Sequence, residues 1–463
     1  MSINIKNINK IFYAFIVVHL ILWTLIPSIT NQNLPLDTIE ALAWGSNLDW
    51  GFNKHPPMSA FFPEIFFKIF GPQDWSYYLL SQIFVIISFY YVFKFSNEIL
   101  NNNLLSLISV LLIEGIYFYN FTTPEFNVNV CQLPFWSLTV YYSWKIYNGK
   151  EIKFLDCLLV GLFAAFGFLS KYLFLYLLVS IDLLFFYLIF IKKERKFDFK
   201  YLLTFEVFLI LLVPHLIWLN NNDFITITYG LARTGLEQSS VLDHIKYPLI
   251  FISKQIGILI PFLIMIWLLV KKFQFKLNLK DKKLLFLLAI NILPIVLMFI
   301  TSLITGSKIR TMWMTPYYLF FGTLFVYLLK SKINTKKLNA FIYSFVFFFL
   351  LSPALYAYIS ISKDNKRTDY FGNDIADLVE RRWNKNFSNE IMYVVGDEWY
   401  AGNLSYHLSD RPKWFLTIEK KFDQLDPTGG VIYVGNAEIL KNLCPGEFGK
   451  IDNQGICMIG LRK

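Results

Sequence analysis

Long apolar runs recur along the first three-quarters of this chain, and they constrain its fold more than any other feature. A helix that crosses a bilayer needs about 20 mostly apolar residues. Eleven segments approach that length: 11–30, 76–95, 104–121, 128–147, 153–170, 172–191, 201–219, 248–270, 284–304, 314–330 and 339–360. The count turns on the break at Lys171 and on the short run 314–330. Only 16% of the residues are charged while 56% are hydrophobic, a balance no single water-soluble core accommodates. The expected fold is therefore an α-helical polytopic membrane protein with about eleven transmembrane helices. Charged residues become denser after Lys363, which predicts two units: a membrane domain over 1–361 and a soluble-looking domain over 362–463.

The basic residues give an orientation. With the N-terminus cytoplasmic, one side receives Lys6, Lys10 and the loops 145–153, 192–200, 271–283 and 330–337, which together hold twenty Lys or Arg. The other side receives 31–75, 121–127, Lys171, 220–247 and 305–313, with seven. This is the positive-inside bias. It places the C-terminal domain outside, which is the periplasmic face if the cell is Gram-negative. The formal charge of +10 follows from loop lysines and calls for no nucleic acid. Residues 11–30 read as a retained span, because no small-residue cleavage pattern follows them.

The outside loops carry few ionisable groups, of an informative kind. In the first loop, 31–75, Pro35 suits a first helical turn and Asp37 and Glu40 share one face of an interfacial helix. Lys54-His55-Pro56-Pro57 sets a cation and an imidazole on a rigid turn, and Met58 to Phe70 forms a second interfacial helix bearing Glu64 and Lys68. Helix capping by Asp37, a snorkelling Lys54 and a packed His55 are the plainer alternatives. Isolated cations at the outer boundary (Lys54, Lys171, Arg233, Lys308 and Arg310) run against the positive-inside preference. They could cradle a lipid-linked phosphate, with headgroup contacts as the rival reading. Glu125, Asn127 and Tyr229 fall on the same face, whereas Glu114, Glu206 and His215 lie in or near spans and suit bundle packing.

In the tail, strand signals at 390–396, 413–417 and 429–435 and a helix at 436–443 predict a small α/β domain. Asp397, Trp399 and His407 could face the membrane site, although packing within the domain accounts for them more simply. Cys131 and Cys157 sit in spans as small apolar residues. Cys444 and Cys457 could form a disulfide in an oxidising compartment, and the sequence leaves that open.

Lys54-His55-Pro56-Pro57, Ser170-Lys171-Tyr172, Pro214-His215-Leu216-Ile217-Trp218-Leu219 and the tail run Gly396-Asp397-Glu398-Trp399, with Ser405-Tyr406-His407-Leu408, together resemble bacterial GT-C glycosyltransferases. The relevant group is the protein mannosyltransferase-like and aminoarabinose-lipid A transferase-like family. The resemblance implies an enzyme that takes a sugar from a polyprenyl (undecaprenyl) phosphate at the outer face of the inner membrane. It gives Asp37, with Glu40, the catalytic place. Lys54 and Lys171 become donor-phosphate contacts, with Arg233, Lys308 and Arg310 as further cations. Glu125, Asn127 and Tyr229 would contact acceptor or sugar. This chain reads Asp37-Thr38-Ile39-Glu40 where the family often has Asp directly followed by Glu, and it has Glu125 at the second acidic position. No tightly bound cofactor is expected. A divalent metal is possible, with His55 and Glu64 as candidate ligands. By the same analogy the acceptor is lipid A and the sugar an aminosugar of the galactosamine or aminoarabinose type. A protein O-mannosyltransferase-like enzyme and a lipid-linked sugar transporter or flippase are the alternatives.

Overall fold

A computed structural model of the chain describes residues 7–235, 240–275, 277–417, 428–451 and 453–463. Lys6 and Lys276, both used in the orientation argument, lie outside these residues. The chain is mostly helical, and each of the eleven apolar segments contains helix. Among the described residues, seven helices are long and apolar enough to cross a membrane: Ile8–Thr30, Asp74–Leu100, Tyr172–Ile191, Lys200–Asn221, Asp243–Leu269, Lys282–Thr305 and Leu338–Ser362. An eighth span results if Thr311–Tyr318 and Phe321–Leu329, bent by 53° at their junction, count as one. The count of eleven is thus not reproduced by length and apolarity.

The shortfall has local causes. The segment 104–121 is helical to Gly115 and then turns, because Gly115 abuts the backbone of Phe262. A Cβ there would sit 2.8 Å from the Phe262 Cα. The segment 128–147 divides into Val128–Cys131 and Leu133–Asn148 around Gln132, with Pro134 in the first turn of the longer piece. Phe154–Ser170 is apolar but short. Helices Lys200–Asn221 and Leu338–Ser362 bury few of their residues and present mostly apolar side chains outward, as lipid-facing helices do. Leu133–Asn148 is nearly all buried at the centre of the bundle.

Both interfacial helices of the first loop form, as Leu36–Gly45 and Met58–Phe70. They touch at Gly45, where an added Cβ would meet the Ala60 carbonyl at 2.8 Å. The long helices end at Ser362, and a five-stranded sheet follows. Its strands are β1 (Ile391–Val395), β2 (Lys413–Phe415), β3 (Gly430–Asn436), β4 (Glu447–Ile451) and β5 (Gln454–Ile459), in the order β2-β1-β3-β5-β4. β1 pairs in parallel with β2 and β3, while β5 runs antiparallel to β3 and β4. The three expected strands and the helix Ala437–Leu443 are present. The β4–β5 hairpin was not anticipated. Cys444 and Cys457 form a disulfide that ties the end of that helix to β5.

The sheet region grips the first loop. The guanidinium of Arg411 donates to Glu64 and to the Leu42 carbonyl, each at 2.7 Å, and lies 4.2 Å from the Phe67 ring. Asn33 donates to Asn403 at 2.7 Å, and Tyr406 donates to Asp74 at 2.7 Å. The N–H of Trp414 donates to Ser46 at 2.8 Å. These contacts fix the helix Leu36–Gly45 from behind.

Candidate active site

The grip leaves the other face of Leu36–Gly45 bordering a cavity of about 1670 Å³. Pro35 starts this helix without a side-chain cap. Instead the N–H of Asp37 donates to the Glu125 carboxyl at 3.0 Å, and Thr38 donates to the Phe126 carbonyl at 3.2 Å. A distant turn therefore satisfies the helix N-terminus and fixes where Asp37 points. Burial lifts the Glu125 carboxyl to about 8, helped by the nearby Asp37 charge. Burial also raises Asp37, but Lys54, Lys171, Arg233 and Arg367 all act against that rise. Of the two acids, Asp37 is thus the one whose charged form the cations favour.

The cations come from separate segments. Lys54 bridges Glu40 at 2.8 Å and Glu398 at 3.1 Å, and Asn53 donates to the same Glu398 oxygen at 2.9 Å. Burial pulls the Lys54 ammonium down, yet its bonds to Glu40 and Glu398 outweigh this and hold it above its ordinary value. Burial raises Glu40 despite the bond from Lys54. Lys171 occupies the extended break between Phe154–Ser170 and the following helix. Its ammonium donates to the Asn129 side chain and lies 5.5 Å from the Trp313 ring. Burial lowers it to about 7, with Asp37 opposing. Arg233, near the end of Ile225–Thr234, stacks over Tyr229 at 5.6 Å. Arg310 also lines the cavity.

The structure sorts the expected residues. Asp37, Glu40, Lys54, His55, Asn127, Lys171, Tyr229, Arg233 and Arg310 line one cavity. Glu125 stands behind Asp37, bonded to its backbone, and is not a lining residue. Asn127 also caps the turn Val128–Cys131. Lys308 is exposed and is not among the lining residues, and its backbone N–H bonds the Thr234 carbonyl at 3.0 Å. Glu64 is likewise not a lining residue. Arg411 holds it in a buried ion pair outside the cavity lining, so it does not stand beside His55 as a metal ligand.

No group of three or more His, Cys, Asp or Glu able to hold a metal occurs among the described residues. The His55–Glu64 pair does not fit a metal, and no step is routed through one. Burial and the cations Lys171, Lys54 and Arg233 push His55 down to about 3, so its ring is neutral. Glu114 pairs with His19 at 2.9 Å inside the bundle. His215 links Tyr172 at 2.7 Å to the Trp50 carbonyl at 2.6 Å.

Of the tail candidates, Asp397 and Trp399 line the cavity, while His407 packs on Asn33 at 3.1 Å. Three residues that matter escaped the sequence reading. Glu398 lay in a quoted motif but had no assigned role. Arg367 sits in the charged stretch after the last long helix, and Trp313 ends the outside loop 305–313. Only the folded chain brings them to the cavity that Asp37 lines.

Residues 54–218 match the model of the dolichyl-phosphate-mannose-protein mannosyltransferase family. No curated protein sequence matches the chain. Among solved structures, ArnT from Cupriavidus metallidurans in the apo state aligns with a TM-score of 0.63 at 9% identity, covering 97% of this chain and 98% of that one. The same enzyme bound to undecaprenyl phosphate aligns with a TM-score of 0.60 at 11% identity, covering 96% and 97%. The chain has the GT-C fold over nearly its whole length, and the segment that matches the family model contains Lys54, Lys171 and the acidic turn at Glu125.

Proposed function

We propose that this GT-C-fold glycosyltransferase moves a sugar from a polyprenyl phosphate to an acceptor of the cell envelope, on the periplasmic face of the inner membrane. One observation carries the reading: Asp37 shares one cavity with Lys54, Lys171 and Arg233, each from a different segment. The bound undecaprenyl phosphate of the ArnT structure supports the same donor chemistry here. The orientation is that of the positive-inside argument, with the N-terminus cytoplasmic and the sheet region outside.

In the reaction, an acceptor oxygen attacks the anomeric carbon opposite the donor phosphate. The sugar–phosphate bond breaks with inversion, and polyprenyl phosphate leaves with the bonding electrons. Lys171, Arg233 and Arg310 meet the phosphate and stabilise the charge that develops on it. Lys54, shared between Glu40 and Glu398, adds a fixed positive charge nearby. A hydroxyl acceptor gives its proton to Asp37. A phosphate acceptor is already ionised, and Asp37 then aligns it or stabilises positive charge on the sugar. The acceptor proposed is lipid A, and the sugar an aminosugar such as galactosamine or aminoarabinose, both by family analogy.

Mass spectrometry of lipid A from strains with and without the protein tests this. Loss of one sugar mass from lipid A in the deletion strain is the expected result. Unchanged lipid A overturns the acceptor assignment. Failure of the purified protein to consume any polyprenyl-phosphate sugar in the presence of envelope lipids overturns the transferase reading.

A further inference from the structure

The cavity has a wall that the donor does not need. It is built by the segment after the last long helix and by the turn after β1. Tyr370, Trp399 and Tyr400 line it with Arg367. The ring centroids of Tyr370 and Trp399 are 5.5 Å apart, and those of Tyr370 and Tyr400 are 6.0 Å apart. The Arg367 guanidinium lies over the Trp399 ring at 5.1 Å.

This wall is held rigidly. The Thr368 carbonyl accepts the N–H groups of Gln32 and Asn33 at 2.9 and 3.0 Å, which staples the Arg367 turn to the first loop. Lys366 pairs with Asp369 at 2.8 Å and closes the same turn. On the other side, Asp397 accepts the N–H groups of Trp399 and Tyr400 at 2.8 and 2.6 Å. Arg367 makes no ion pair with a carboxylate among the described residues, unlike Lys54, which has two.

A guanidinium over an indole ring can still offer its N–H fork, which matches the two oxygens of a phosphate or carboxylate. Aromatic faces beside it suit the C–H face of a sugar ring, whose hydroxyl rim points elsewhere. We propose that Arg367, Trp399, Tyr370 and Tyr400 form an acceptor subsite for an anionic saccharide, with Arg367 binding its phosphate or carboxylate. The inference rests on the transferase reading and narrows it. The acceptor is a charged sugar rather than a peptide hydroxyl. Arg367 and Asp37 line the same cavity, so a saccharide held by Arg367 lies in the hollow that holds the reacting centre.

The test uses the full-length purified protein with lipid A carrying both phosphates and with lipid A stripped of them. Arg367→Ala should raise the acceptor KM by about tenfold or more, as expected for losing a charge-assisted bidentate contact, and leave the donor KM within about twofold. Arg367→Lys should recover part of the loss, and the penalty should vanish with the phosphate-free acceptor. An equal rise in both KM values, or no rise in either, overturns the subsite. Equilibrium binding of the two lipid A forms to parent and Arg367→Ala protein keeps the question separate from turnover. If no sugar is transferred yet phosphate-dependent binding through Arg367 persists, the transferase reading fails and the subsite stands. If parent and variant bind both lipids alike, the subsite fails whatever the activity.

Discussion

The backbone N–H of Asp37 donates to the carboxyl of Glu125 at 3.0 Å, so one acid positions the other through the main chain. Glu125 is lifted to about 8 and is protonated at neutral pH, while burial raises Asp37 and four cations oppose that rise. The two acids therefore have separate roles. Asp37→Asn should lower transfer by about tenfold or more, the scale of a lost general base or aligning charge. Glu125→Gln keeps a neutral acceptor for the Asp37 N–H and should turn over within about threefold of the parent at pH 7. Glu125→Ala removes a helix-terminal partner and should destabilise by about 1 kcal/mol. Steady-state rates and thermal midpoints of the three variants decide this. A Glu125→Gln enzyme as slow as Asp37→Asn would mean that Glu125 acts in the chemistry itself.

Donor affinity should depend on pH through Lys171. Its ammonium is lowered to about 7 by burial and is protonated below that value. A sugar phosphodiester keeps a constant charge between pH 6 and 9, so the lysine alone titrates in that contact. Donor binding should therefore be strongest at the acid end and weaken as pH rises through 7, by at most about tenfold per unit. Lys171→Arg keeps its charge throughout and should flatten the profile. Dissociation constants measured across that range provide the check, and a parent profile as flat as that of Lys171→Arg would refute the assignment.

The first loop was readable because its signals are local. Pro35, the i, i+3 spacing of Asp37 and Glu40, and Pro56-Pro57 mark two short helices and the turn between them, and these form where expected. Lys171 was readable because a lone lysine between apolar runs has few structural uses. What could not be read depends on tertiary approach. Gly115 ends a helix because Phe262, far along the chain, presses its backbone there. Glu64 turned out to be a partner of Arg411, nearly 350 residues away, and nothing around either residue announces the other. Lys308 and Arg310 share a loop and a charge, yet of the two only Arg310 lines the cavity.

Lys54 is held jointly by Glu40 and Glu398, which predicts coupling between the sheet region and the first loop. If Glu398 acts through Lys54, then Glu398→Ala should slow transfer in the parent and have little further effect in a Lys54→Ala background. The coupling energy of the cycle should be about 1 kcal/mol or more, as for contacting residues in one ion-pair network. Rates and donor dissociation constants of the two single variants and the double variant give this value. Strict additivity would show that Glu398 supports the fold without positioning Lys54.

The disulfide between Cys444 and Cys457 should stabilise the sheet region without touching the chemistry. It joins the end of Ala437–Leu443 to β5, which lies two strands from β1, with β3 between them. Cross-linking residues 13 apart restricts the unfolded chain by about 3 kcal/mol in the loop-entropy account. Replacing both cysteines by serine should thus lower the thermal midpoint of the purified protein by several degrees and leave the transfer rate at 25 °C unchanged. Reductant should lower the midpoint of the parent and not that of the variant. A parent midpoint indifferent to reductant would show that the bond contributes no stability, and a slowed rate at 25 °C would show that the hairpin β4–β5 reaches the site by a path other than β3 and β1.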